Sequence, residues 1–471
     1  MLTEAQIRNG YALLFGSDRV VTTPEVNFWL GVASGGAITL INFVGKLAAH
    51  TLVEFSALAS LSDDQKVWLV NAKNYLYYEP LEEVLRPLAN WKDPVSERIV
   101  FNTDILQARY GSEQRRQLLH YPRVTLEYTI LSYKAQLQHL VNQIKDSQGH
   151  LIWTPLWQEI QVLSADLITL GDLSTVPRIR VGKYLLFSSY DSFELVDVVK
   201  VGETYQFEHN LSTAYTSSPW FIPVLPGNIR EKVSFSYITG AVASGRVSAQ
   251  LQVLSDKAIW KNTKTLRMVN NYPLMPAEQN WVTPTSLEIT RPSVVLDYGT
   301  GIMTSYDLHG YSDNTRTLSF IGKRDDYGIR DFFLEQAGRY ASFYCPTFVN
   351  DLTIAEGFVY SSADKSILVK DVAVTPNKIS KYLYIEFHNK PAIICEFTVP
   401  TAENGLEKIP VYAVSASGAA PTEDAFNFPW DYKSVKRISY LPKCRFVADT
   451  LEVSWFTPQY YNVTVSIIHI Q

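Results

Sequence analysis

The sequence predicts a mainly β protein of the α+β class: a helical N-terminal domain, then two tandem copies of a β-sheet domain, each with one helix and a small β insertion. Three observations predict it. Aromatic residues make up 13% of the 471, as 28 Tyr, 22 Phe and 10 Trp, and aromatics with β-branched residues favour strands. Twenty-three Gly and 23 Pro supply the turns that separate short strands. After residue 95 the order of apolar strands, helix and punctuating residues is written twice.

Composition narrows the function classes. Hydrophobic residues are 46% of the chain, enough for a sizeable core, and the length suits about two to four domains. Lys plus Arg is 42 and Asp plus Glu 47, a net charge of −5, with no Lys/Arg-rich run; this speaks against sequence-specific nucleic-acid binding and an anionic membrane surface as partners. Cys345, Cys395 and Cys444 lie far apart without a CxxC, so reduced buried thiols are expected rather than a disulfide framework or sulfur-rich metal site. Met1-Leu2-Thr3-Glu4 lacks the basic and apolar run of a signal peptide, which points to a cytoplasmic origin.

From Leu2 to about Tyr78 the apolar residues recur at helical spacing, as Ile7, Tyr11, Leu14 and Val53, Phe55, Leu58. Thr3 with Gln6 suits a capping box, and Ser62 before Asp63-Asp64 suits a second helix start. Pro80, Pro87 and Pro94 close the region. Val26 to Gly45 carries no charge over 20 residues, which is the length of a membrane span. Asn27, Ser34, Thr39, Asn42 and the central Gly35-Gly36 favour two short buried helices instead, and no stable span is expected. Tyr11-Ala12-Leu13-Leu14-Phe15-Gly16, Pro24 to Leu30 and Ala33-Ser34-Gly35-Gly36 resemble a small helical module found in bacterial secreted and surface-layer proteins. Ser17-Asp18-Arg19 replaces that module's usual acidic and Gly-rich turn.

In the first copy Tyr121 to Tyr128 alternates as a half-buried strand, a helix follows through Leu137, Leu140 and Ile144 to a stop at Gly149, and Ile152 to Trp157 resumes the sheet. In the second, Arg316 to Phe320 is the strand, Gly328 to Gln336 the helix, Gly338 its stop, and Ser342 to Phe348 the return. Further matches pair Val181–Phe187 with Ile379–Ile385, Ile222-Pro223-Val224 with Ile409-Pro410-Val411, and Lys232–Phe235 with Arg437–Tyr440. Final strands then fall near Val247 to Leu251 and Val453 to Phe456.

With Leu225-Pro226-Gly227 and the closing Phe446 to Trp455, this order resembles structural proteins at the distal tail, or baseplate hub, of tailed bacteriophages. The resemblance covers about residues 97 to 471. It implies a tube-like sheet domain at 96–176, a small β insertion at 177–228, and returning strands with a linker at 229–284. The second copy then follows at 285–372, with its insertion at 373–428 and return at 429–471, behind a helical domain at 1–95. It also implies a virion protein, assembled in the host bacterial cytoplasm, whose partners are tail tube, tape measure, hub and fibre proteins. Two copies per chain suit a homotrimer with pseudo-six-fold symmetry, with a homohexamer as the alternative.

No enzyme, cofactor or metal is expected, and no catalytic, cofactor-binding or metal residue is nominated. GxSxG is absent, and Gly299-Thr300-Gly301 lacks the rest of a phosphate loop, so a hairpin turn is the better reading. His120, His139, His150 and His309 never form HxH or HExxH. Asp307, His309, Asp325 and Asp326 read as loop charge, the last two at a helix start, and Glu82-Glu83 as an exposed face. Trp153 and Trp157, Trp430 and Tyr432, and Tyr460-Tyr461 fit core or interface packing better than sugar stacking. A secreted or surface carbohydrate-binding protein is the competing reading, and a polysaccharide-degrading enzyme the third.

Overall fold

The computed structural model describes residues 83–470 apart from 109–111, 147–149, 165–166, 169–171, 190–191, 212–214, 216–217, 230–232, 254–260, 292, 308–311, 362–363, 371–379 and 415–429. The helices expected in the first 82 residues, the uncharged run at 26–45 and the stop at Gly149 lie outside these residues. Among the described residues strands account for 53% and helices for 7%, so the described part of the chain is mainly β. Among the described residues no helix is long and apolar enough to cross a membrane.

The first half contributes β1 (Val95–Val100), an arm made of β2 (Thr103–Gln107) and β3 (Glu113–Gln117), the long β4 (Arg123–Tyr133) and helix α1 (Lys134–Asp146). Then come β5 (Ile152–Pro155), β6 (Gln161–Val162), β7 (Gly182–Ser189), β8 (Ser192–Val201), β9 (Thr204–Phe207), β10 (Trp220–Ile229), β11 (Ser234–Tyr237) and β12 (Val242–Leu251). A small hairpin, β13 (Met268–Val269) and β14 (Tyr272–Pro273), leads to the second half. There β15 (Ser286–Thr290), a second arm of β16 (Ser293–Asp297) and β17 (Met303–Asp307), β18 (Asp313–Lys323), helix α2 (Ile329–Glu335) and β19 (Phe343–Tyr344) follow in order. The chain ends with β20 (Val359–Tyr360), β21 (Ser366–Val369), β22 (Tyr382–Phe387), β23 (Ile393–Phe397), β24 (Thr401–Glu403), β25 (Leu406–Ala413), β26 (Trp430–Asp431), β27 (Val435–Tyr440), β28 (Lys443–Phe446), β29 (Thr450–Trp455) and β30 (Tyr460–His469).

Alternation makes the long strands. In β4, Val124, Leu126, Tyr128, Ile130 and Ser132 are buried while their neighbours face outward, and Leu137 and Leu140 of α1 are buried too. β4 pairs with β1 on one side and β12 on the other; β12 pairs with β10 and β11, and β10 with β5. In the second half β18 pairs with β15 and β30, β30 with β28 and β29, and β28 with β19. β29 then pairs with β1, which runs both sets into one sixteen-stranded sheet over one hydrophobic core drawn from both halves.

The halves differ in how they carry the strands between helix and return. β10 is unbroken and pairs with β7 as well as β12, so β7, β8 and β9 extend the main sheet. In the second half Leu441-Pro442 separates β27 from β28, whereas β10 runs unbroken through Pro223 and Pro226. β21 to β25 with β27 consequently form their own six-stranded sheet over a separate core around Leu383, Ile409, Val411 and Trp430. That sheet reaches from Ser366 to Tyr440, wider than 373–428.

Pairing also corrects three sequence matches. Ser234–Tyr237 shares its pairing with β29, not with Arg437–Tyr440, because β11 lies on β12 as β29 lies on β30. Val247–Leu251 belongs to the strand answering β30 rather than to one answering Val453–Phe456. Ile409-Pro410-Val411 lies in β25, paired with β21 and β23, whereas Ile222-Pro223-Val224 lies in β10, paired with β7. Short apolar strings look alike wherever strands are buried, and only the partner strand distinguishes them.

The 1–95 boundary is corrected as well. Val84, Leu85, Ala89 and Val95 are buried in the main core, Leu85 N donates to Trp153 O at 2.9 Å and Asn90 N to Thr129 O at 2.6 Å. Residues 83–95 are therefore part of the β body.

α2 stops where Gly338 was expected to stop it, in a Schellman arrangement. Gly338 N donates to Phe333 O at 3.2 Å and Ala337 N to Leu334 O at 3.3 Å, with Ala337 at φ +50° and Gly338 at φ +67°. A Cβ on Gly338 would also lie 2.6 Å from Asp449 Oδ1. At the other end Asp331, not Asp325 or Asp326, supplies the carboxylate of the first turn and accepts from Gly328 N at 3.4 Å.

Candidate functional site: the junction between the two halves

Among the described residues no three His, Cys, Asp or Glu side chains gather as a metal's ligands. The His309 residue, the Asp307 side chain and Glu82 lie outside the described residues. Gly299 (φ +69°) and Gly301 (φ +83°) form the tip of the β16–β17 hairpin, where Gly299 N donates to Asp297 Oδ1 at 2.9 Å. Trp157, Trp430 and Tyr461 are core residues: Trp157 meets Tyr128 edge-on, Trp430 stacks on Tyr360 at 5.0 Å, and Tyr461 packs on Trp455 at 4.8 Å. Gly322 leaves room for Tyr461, since a Cβ there would come within 2.1 Å of its ring. Asp325 pairs with Arg324 at 3.0 Å beside an open polar cleft lined by Lys261, Asn262 and Tyr327.

Charge is instead concentrated where the halves meet. β1 alternates Val95, Glu97 and Ile99 inward, so the pleat drives a carboxylate into the core. Arg330 of α2 answers it with two bonds, Nη2 to Oε1 at 2.6 Å and Nε to Oε2 at 2.8 Å, and Trp455 Nε1 donates to Oε2 at 3.1 Å. Burial works against the Arg330 charge, but the Glu97 carboxylate more than offsets it and holds the guanidinium above its usual pKa. Around this pair two arginines clasp across the halves: Arg178 Nη1 donates to Arg324 O at 2.9 Å, and Arg324 Nη1 to Ile160 O at 2.8 Å. Burial pushes the Glu159 carboxyl up, with Arg178 at 3.2 Å drawing it part of the way back.

The first arm reinforces the junction. Thr103 donates to Asp449 through its backbone N at 2.7 Å and its hydroxyl at 3.0 Å, and Arg339 Nε reaches the same carboxylate at 3.1 Å. Arg445 grips Glu113 with Nη2 to Oε1 at 2.8 Å and Nε to Oε2 at 2.9 Å, while Arg115 donates to Tyr340 O and Ser342 Oγ. Burial tends to raise the Glu113 carboxyl, but Arg445 and Arg115 bring it below its usual value. No known protein family matches the sequence, and no curated protein does. The reading of this junction therefore stands on its own geometry.

Sequence reasoning missed Glu97, Glu113, Arg330, Arg445 and Asp449. One signal was present: Glu97 interrupts the inward set of Val95 and Ile99, and a charge at an inward strand position needs a buried partner. Its partner is 233 residues away, beyond any local pattern.

A second buried arginine is handled differently. Arg316 of β18 donates to Pro346 O at 3.1 Å, Cys345 O at 3.3 Å and His469 Nε2 at 3.1 Å. Burial, then the Arg316 charge, lowers His469 from 6.5 to about 3. The unfolded chain thus takes up a proton near pH 6.5 that the folded chain refuses until about pH 3, so stability is full above pH 6.5 and is lost as pH falls through that window. His469→Gln keeps an acceptor and removes the titration. Urea unfolding at pH 7 and pH 4.5 should show the wild type losing on the order of 2 kcal/mol more than the variant; equal losses would exclude His469 as the acid-sensitive group. Cys345, Cys395 and Cys444 are free and buried, and burial pushes the Cys345 thiol up to about 11 despite Arg316 nearby.

Proposed function

We propose that this chain is a structural virion protein of a bacteriophage tail, placed at the tail tip or baseplate hub and connecting the tail tube to distal hub and fibre proteins. It carries two tandem copies of a tube-like sheet domain, each with a small β insertion, behind a helical N-terminal domain that ends before Glu83. It acts by assembly, not by catalysis.

One observation carries the reading. β1 from Ser96, β2, β3 and β4 recur as β15, β16, β17 and β18 at a constant shift (313 − 123 = 190), with the same pairing of β1 on β4 and β15 on β18. β12 recurs as β30 (460 − 242 = 218), and β11 lies on β12 in the register that β29 uses on β30. A repeated sheet unit that joins edge to edge within a chain is suited to continue between chains, and closed assemblies remove exposed edges. Three chains then supply six similar units around a six-fold tube. Assembly takes place in the host cytoplasm, and the mature protein resides in the tail with tube, tape-measure and fibre neighbours.

Image classification of native tail tips without imposed symmetry tests this. The expected result is a ring of six sheet units from three chains. Twelve units would replace the trimer by a hexamer, and a chain missing from purified tails would overturn the virion role.

A further inference from the structure

The junction inside the chain specifies a matching junction that the chain leaves open. β1 is covered on both edges, by β4 and by β29. Its equivalent β15 pairs with β18 alone among the described strands, and all five of its residues are exposed. Likewise β29 has β30 on one edge and β1 on the other, whereas its equivalent β11 has β12 alone among the described strands. Each half therefore lacks one neighbour, and the two missing neighbours are each other's kind.

The side chains agree. Glu97 and Ile99 are buried in β1, and the residues at the same positions in β15 are Leu287 and Ile289, left 59% and 65% exposed. Trp455 is 1% exposed in β29, and its equivalent in β11 is Tyr237 at 72%. β15 carries neither Lys nor Pro, the usual devices that blunt an exposed edge. The second arm repeats the pattern: β2 and β3 dock on the other half through Thr103, Glu113 and Arg115, while β16 is exposed throughout and Tyr298, Ile302, Met303 and Tyr306 face outward. A bare two-stranded hairpin is marginal in water.

We infer that β15 of one chain adds antiparallel to β11 of a second copy, in the register of the internal junction, with Leu287 opposite Phe235. Moving Ser96↔Ser454, Glu97↔Val453 and Arg98↔Glu452 by +190 and −218 gives Ser286↔Ser236, Leu287↔Phe235 and Glu288↔Ser234. The contact joins unlike edges, so it propagates head to tail and forms a ring where the rotation between copies closes. The inference rests on the assembly reading above but commits to a strand pair, which that reading does not.

The test uses two full-length variants, Leu287→Cys and Phe235→Cys, with the three natural cysteines buried. Mixed and mildly oxidised, they should form disulfide-linked dimers that neither variant forms alone. A chain that stays monomeric at high micromolar concentration, a mixture that assembles without the link, or linkage by one variant alone each overturns the pairing. Leu287→Asp with Ile289→Asp, both at exposed sites, should leave the thermal midpoint of the dilute monomer unchanged and weaken assembly tenfold or more; unchanged assembly also overturns it. Assembly without the link leaves the tail role intact, and the link in a protein absent from tails leaves the pairing intact, so the two failures are distinguishable.

Discussion

Replacing Glu97 by Leu is expected to destabilise the protein by about 3–5 kcal/mol, because the Arg330 guanidinium, in a site 4% exposed, loses its two short bonds to Glu97 and keeps the longer contact with Asp331. Trp455 Nε1 loses its acceptor in the same step, which adds the cost of an unsatisfied buried donor. Leu is an informative choice because the repeat itself places Leu287 at the equivalent position of β15. A buried pair is weak support compared with well-packed apolar groups, so Arg330→Met added to Glu97→Leu should recover most of the loss. Chemical unfolding of the two single variants and the double variant, closed as a cycle, measures the coupling. A single variant within 1 kcal/mol of wild type would show that water or Asp331, 3.5 Å from Arg330, already neutralises the charge.

Removing residues 1–95 is expected to cost far more stability than removing residues 1–82. The longer deletion takes Val84, Leu85, Ala89 and Val95 out of the main core and leaves Trp153 N and the Gln143 amide without their acceptors Glu83 O and Val84 O. At roughly 1.5–3 kcal/mol for each buried Val or Leu, the loss is about 5–8 kcal/mol, comparable to the whole stability of an ordinary domain. Thermal unfolding of the two truncated chains, followed by circular dichroism, compares them directly. Equal midpoints would place residues 83–95 outside the cooperative unit.

These two results also divide what was readable from what was not. Period-two alternation located β4 and β18, the Leu137 and Leu140 spacing located α1, and Gly338 marked the end of α2, because each depends on residues close in sequence. The Pro94 signal placed a boundary too late, since proline reports a break in local helix and says nothing about whether the preceding chain packs on a distant sheet. The return strands were matched to the wrong partners for the same reason: Lys232–Phe235 and Arg437–Tyr440 are similar strings, but β11 and β29 are similar neighbours.

By itself the amino-acid order determined that this is a mainly β chain, that strands run through Val124–Tyr128 and Arg316–Phe320 with a helix after each, and that its thiols are buried, since alternation, turn residues and composition act over a few residues each. Only the tertiary structure decided that β1 lies between β4 and β29, that Glu97 meets Arg330 across 233 residues, and that β15 and β11 each have one edge unpaired among the described strands. Strand pairing is non-local: a pleat dictates which side chains face inward, but which strand lies alongside is settled by competition among all the edges the folded chain brings together.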